Sequence, residues 1–199
     1  IKDIHVSRRA SFGSTLLTAE DVTDTVLGYV IDNHLLGKAL YERAQQLGVE
    51  VHAPCQCESL ITELNGPGVI DSAGKIIEAD LVLLAGGIDQ SWFDVLGIGI
   101  DTRSTETSAL AFNAVFPGVQ TGRAFERFTD HGPLAALPLP SVSRADQRFN
   151  IIWSVANEEL IKLTGLSDQG FLERFQAAFG WRLGRVQAIG KRSHWSLAR

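Results

Sequence analysis

The second half of the chain carries the pattern that most restricts its fold. Four short apolar-rich segments read as strands of one antiparallel sheet: 108–116, 122–128, 134–139 and 148–155. Gly and Pro stand between several of them. Successive side chains of a strand point to opposite faces, so each segment can turn one face toward a core. Links this short favour antiparallel neighbours over crossovers. Residues 171–179 then place Phe171, Leu172, Phe175 and Phe179 at helical spacing. That stripe predicts an amphipathic helix with its rings turned inward.

The first half is mixed. Residues 33–47 put Leu36, Ala39, Leu40, Ala44 and Leu47 on one helical stripe. Asn33 or Asp32 is placed to cap the first turn, Gly48 to close the last in the left-handed conformation, and Lys38 and Glu42 to pair at i,i+4. Strand-like stretches occur within 4–18 and at 49–52, 58–64, 68–70 and 75–78, and 26–31 reads as a short strand or a turn. Residues 79–85 (Ala-Asp-Leu-Val-Leu-Leu-Ala) form a nearly continuous apolar run, which suits a strand buried on both faces. Gly86-Gly87 follow at once, and 91–96 reads as a short helix and turn. The expected fold class is α/β joined to α+β: an incomplete Rossmann-like lobe over residues 1–100, then an antiparallel-sheet lobe with flanking helices over 101–199.

Composition narrows the function classes. With 199 residues, 45% hydrophobic and 21% charged, the chain is globular. A formal net charge of −5 argues against a general nucleic-acid binder. There is no run of about 18 apolar residues to cross a bilayer. Cys55 and Cys57 lack the two-residue gap of redox and zinc pairs and read as free thiols, and the five histidines are scattered without metal-site spacing. Methionine is absent, and 1–6 already reads like the inside of a strand, so the chain is expected to be a piece of a longer one.

Several ordered stretches resemble one family. They are Ile4-His5-Val6-Ser7 with Phe12-Gly13 and Ala19-Glu20-Asp21; Leu27-Gly28-Tyr29-Val30 with Asn33, Leu36, Ala39 and Leu40; and Ala79-Asp80-Leu81-Val82 leading into Gly87. The most specific is Gly122-Arg123-Ala124-Phe125-Glu126-Arg127-Phe128-Thr129 with Gly132-Pro133-Leu134-Ala135 and Leu137-Pro138-Leu139. Ile152-Trp153 and the helix ending at Phe179-Gly180 complete the set. The chain resembles the flavin-dependent aromatic hydroxylases of ubiquinone biosynthesis, a branch of the p-hydroxybenzoate-hydroxylase-like monooxygenases. The resemblance implies FAD as cofactor and NAD(P)H as reductant, with O₂ used to hydroxylate an aromatic, polyprenylated ubiquinone precursor. It further implies a cytoplasmic protein in peripheral contact with the inner face of a membrane, alongside other ubiquinone-biosynthesis proteins and with no nucleic-acid partner. Residues 1–100 would then be part of the FAD-binding lobe and 101–199 the substrate lobe.

The family's Gly-x-Gly-x-x-Gly turn, which cradles the FAD pyrophosphate, does not occur here, and its later Gly-Asp motif would lie beyond Arg199. Its intermediate Asp-Gly reads Gly86-Gly87, and its Ser-x-x-Arg reads Ser91-Trp92-Phe93-Asp94. This departure leaves a second reading open: a non-catalytic lipid-binding or scaffold protein derived from the same fold. The resemblance places Asn33 near the ribityl region and Gly86 and Gly87 where backbone could approach a phosphate. A helix cap and a plain tight turn are the simpler readings of the same residues. Phe128, Leu137 and Pro138 are candidate walls of an apolar substrate pocket, with core packing as the alternative. Pro138 within a strand demands an edge or a bulge. Glu126 and Arg127 should point to opposite faces, each available to a surface ion pair. No catalytic residue is named.

Overall fold

The computed structural model describes residues 1–22, 24–62, 66–86, 90–101, 103–118, 122–140 and 145–198. In chain order the elements are β1 (Asp3–Arg8), β2 (Ser14–Thr18), a 3-10 helix (Ala19–Val22), α1 (Asn33–Gln46), β3 (Cys57–Ile61), β4 (Gly68–Asp71), β5 (Ile76–Glu78) and α2 (Gln90–Val95). They continue with β6 (Ser104–Pro117), β7 (Arg123–Thr129), β8 (Gly132–Pro138), β9 (Asp146–Ala156), α3 (Asn157–Thr164), α4 (Asp168–Phe179), β10 (Ala188–Ile189) and β11 (Ser193–Ala198). The chain divides into two compact units: Ile1–Asn33 with Arg103–Arg199, and His34–Thr102.

The first unit is one sheet in the order β10-β6-β9-β8-β7-β1-β2, with β11 also on β6. The four segments form the expected antiparallel ladders β6–β9, β9–β8 and β8–β7. Their inward residues Leu110, Phe112, Phe116, Leu134, Phe149, Ile151 and Trp153 are fully buried or nearly so. Phe171, Phe175 and Phe179 of α4 pack onto them, and Phe112 meets Phe171 and Phe175 edge-on at 5.0 and 5.1 Å. Each buried Phe contributes about 1.5–3 kcal/mol, and an edge-to-face pair adds about 0.5–1.5 kcal/mol. Ser167 caps α4 by accepting from the Gly170 N–H at 3.2 Å.

The first residues belong with this sheet rather than with 34–100. β1 runs parallel to β7 with His5 beside Phe125, and β2 pairs antiparallel to β1. An Asp3–Arg123 ion pair locks the register, with Arg123 donating to both carboxylate oxygens. β1 is thus paired on both sides, by β2 and β7.

The second unit holds α1, α2 and the antiparallel sheet β3-β4-β5. Gly48 closes α1 with φ +72°, and Val49 N–H donates to Ala44 O at 3.0 Å. α1 has no buried residue: Leu35, Leu36, Leu40 and Tyr41 are all exposed. Two predicted strands do not form, at 49–52 and 79–85, and 26–31, read as a short strand or a turn, forms no strand. In the last, Leu81 and Leu83 are 70% and 80% exposed. A strand buried on both faces needs a ladder on each side and a layer above and below; among the described residues no strand pairs with 79–85.

Candidate functional site

The register of the first unit fixes which side chains share a face. On β7, Phe125 packs toward Phe179, and Arg127 donates from Nε to Ala178 O at 3.1 Å, at the end of α4. Ala124, Glu126 and Phe128 therefore point to the opposite face, away from α4. On β8 the buried pair Leu134 and Ala136 faces the core, which turns Ala135 and Leu137 outward beside them. Val6 of β1, level with Glu126, and Ile152 of β9, opposite Ala135, extend this outward face on either side. It is a half-buried, largely apolar surface carrying one carboxylate near its middle.

Phe128 and Leu137 both lie on it. Phe128 pairs with Pro133, four positions before Leu137, so the two sit about 13 Å apart along the strands at about 3.3 Å per residue. Pro138 has the other parity. It ends β8 beyond the described β7 ladder, where its missing N–H interrupts nothing. It lines a cleft of about 260 Å³ with Ile1, Tyr29, Val30, Gly122 and Gln147. Gln147 is buried; its Nε2 donates to Leu139 O at 2.7 Å and Arg148 O at 3.0 Å, and its Oε1 has no partner.

The electrostatics differ between the two faces. Outward, burial alone pushes the Glu126 carboxyl above the usual glutamate range. Inward, burial and then the nearby Arg182 and Arg9 lower Arg127. Burial and then Arg182 lower His5, whose Nε2 contacts an Arg182 guanidinium nitrogen. The ion pair expected for Glu126 and Arg127 is absent among the described residues: Arg127 binds the C-terminal carbonyl of a helix instead, and Glu126 meets no cation.

In the second unit, Gly86 lines an open cleft of about 530 Å³ with Cys55, Cys57, Val82, Leu84 and Trp92. Among the described residues no atom lies within 4 Å of where a Cβ would stand on Gly86, which leaves space beside its backbone. Gly87 lies outside the described residues. Asn33 is the first residue of α1 and is exposed. Cys55 and Cys57 are free and exposed; desolvation first, and Cys57 next, raise the Cys55 thiol. Among the described residues no three metal-ligating side chains converge, and no helix is long and apolar enough to cross a membrane.

Sequence reasoning did not single out Gln147 or the isolated position of Glu126. Gln147 falls on the inward parity of an alternating strand, a polar residue among Phe149 and Ile151, and that mismatch was the available signal.

No protein-family model matches the chain. It is 28% identical over 172 residues to the ubiquinone hydroxylase UbiL of Rhodospirillum rubrum, covering 86% of this chain and 39% of that protein. It is 21% identical over 166 residues to the mitochondrial ubiquinone biosynthesis monooxygenase COQ6 of Mus musculus, covering 77% of this chain and 33% of that one. Among solved structures, CtdE, captured in complex with FAD and a substrate, superposes with a TM-score of 0.64 at 15% identity, over 100% of this chain and 52% of that one. The chain thus spans about two fifths or less of the length of these curated relatives. It is a partial homologue of the ubiquinone hydroxylases and COQ6 monooxygenases, with the mixed α/β fold seen in FAD-dependent monooxygenases.

Proposed function

We propose that this chain is the central segment of an FAD-dependent monooxygenase that hydroxylates an aromatic ring of a polyprenylated ubiquinone precursor, with NAD(P)H as reductant. The observation that carries the reading is the outward face of the first unit's sheet. It is built from the block 122–139, the stretch most specific to the ubiquinone-biosynthesis hydroxylases, and it presents apolar side chains rather than a packed core. The partial coverage of its relatives supports a segment of a longer protein, as do the bare apolar side chains of α1, which further chain would bury.

The residues present suit part of an FAD molecule. The free space beside Gly86 admits a close approach to backbone, and Val82, Leu84 and Trp92 supply apolar walls. No basic side chain lines that cleft, so charge neutralisation of the pyrophosphate falls to residues elsewhere. Asn33, Gly86 and Gly87 are the residues that would hold the cofactor, which when bound supplies the activation of O₂. The chain's own task is positioning. Phe128 and Leu137 wall the outward face on which a ring would lie, and Pro138 shapes the cleft at the end of β8. Their apolar surface favours the ring and its tail over water and holds both in a fixed orientation. A greasy substrate implies delivery from a lipid surface, hence peripheral contact with a membrane.

The second reading is a non-catalytic lipid-binding or scaffold protein; Gly86, where the family carries an acid, favours it. The two separate on the full-length protein. The enzyme reading expects a bound-flavin absorption spectrum and NAD(P)H oxidation stimulated by a phenol. A colourless protein that takes up no FAD, or one that carries lipid through purification without flavin, overturns it.

A further inference from the structure

Glu126 stands on the outward sheet face with apolar neighbours on every side: Ala124 and Phe128 along its own strand, Ala135 across on β8 and Val6 level with it on β1. Arg8, the next outward residue of β1, forms no ion pair with it, and no donor among the described residues meets its oxygens. Glu126 is only partly buried, so its carboxylate is open to a ligand from solvent. A desolvated carboxylate with no partner is costly in an otherwise apolar surface, unless a ligand supplies the missing donor.

We infer that Glu126 is a substrate-binding residue that accepts a hydrogen bond from the ring hydroxyl of the aromatic substrate, so that the face selects phenols over rings lacking a hydroxyl donor. This rests on the proposed aromatic-ring reading of the same face. The apolar neighbours hold the ring flat against the sheet, and the carboxylate fixes its rotation by one directed bond. The chemistry is specific in one direction. A methyl ether of the same ring keeps the apolar contact but leaves the carboxylate unpaired and further desolvated, which penalises binding by more than the lost hydrogen bond alone.

The test measures binding of para-nonylphenol and of its methyl ether, para-nonylanisole, to the complete flavin-loaded protein by calorimetry, with Glu126→Gln and Glu126→Ala beside it. The unaltered protein is expected to bind the phenol at least about tenfold more tightly than the ether, as a hydrogen bond to a charged acceptor allows. Glu126→Ala is expected to bring the two ligands within about threefold of each other, with ether binding unchanged or tighter, and Glu126→Gln, whose neutral amide oxygen is a weaker acceptor, to fall between. Circular dichroism of each variant checks its fold. Equal binding of phenol and ether by the unaltered protein, or a preference that survives in both variants, overturns the role of Glu126 and leaves the aromatic-face reading standing. Failure of both ligands to bind overturns the aromatic-face reading and this inference with it.

Discussion

Glu126 on β7 sits directly opposite Ala135 on β8, so a half-buried carboxylate has a methyl group as its cross-strand neighbour. Burial raises its pKa, so the folded state holds its proton more tightly than the unfolded state does. The sign follows by linkage: ionised Glu126 destabilises the fold at neutral pH, and the penalty is relieved as pH falls through the raised value toward the ordinary one. Glu126→Leu should therefore raise stability at pH 7 by about 1 kcal/mol while removing phenol selectivity. Thermal melts at neutral pH check the first part; a lower melting temperature would contradict it.

Glu159 behaves in the opposite sense. Its Oε1 accepts from Arg174 Nη2 at 2.7 Å, tying α3 to α4, and this hydrogen bond lowers its pKa against an opposing desolvation effect. The stabilisation is present above the ordinary glutamate pKa and is lost as pH falls through the depressed value. The difference in stability between the unaltered protein and Glu159→Gln should shrink on acidification below about pH 4.5. Denaturant melts across that range measure it.

Gln176 is a buried bracket. Its Nε2 donates to Gly180 O at 2.6 Å and Gly184 O at 3.2 Å, and its Oε1 accepts from Val186 N–H at 2.7 Å. Gln176→Leu keeps the volume and removes all three bonds, leaving a buried N–H without a partner. A loss of about 2–4 kcal/mol is expected in equilibrium unfolding.

Gly132 turns the β7–β8 hairpin with φ +117°, and a Cβ there would stand 2.2 Å from the Ser154 carbonyl oxygen. Backbone cannot yield as a flexible side chain would. Gly132→Ala should cost about 2–4 kcal/mol and disturb the strand that carries Glu126 and Phe128. Loss of amide protection in β7 and β8 by hydrogen exchange, before global unfolding, is the expected signature.

Much of the first unit is legible in the sequence, because short apolar-rich segments set off by Gly and Pro, and the Phe171, Phe175, Phe179 stripe, are local signals that packing reinforces. Gly48 is legible for the same reason, since a left-handed cap is a property of one residue. The parallel docking of β1 on β7 is not, because its register depends on partners about 120 positions away, including Asp3 and Arg123. Residues 79–85 mislead because an apolar run records only that burial is wanted; among the described residues no neighbouring strand meets it. α3 is missed because Asn157, Glu158 and Glu159 look like a polar loop until Leu160 and Leu163 find the sheet. In the candidate site, alternation correctly sets Glu126 and Arg127 on opposite faces, but only the fold shows that Arg127 meets a helix end while Glu126 meets no donor among the described residues.

The central claim is ring hydroxylation by the complete protein. The most direct measurement supplies that protein with FAD, NAD(P)H, a tailed phenol and isotopically labelled O₂, and weighs the aromatic product. The account predicts a product heavier by one labelled oxygen atom, formed in step with NAD(P)H consumption. NAD(P)H oxidation that yields only hydrogen peroxide, or a phenol recovered unlabelled while bound flavin turns over, would contradict it.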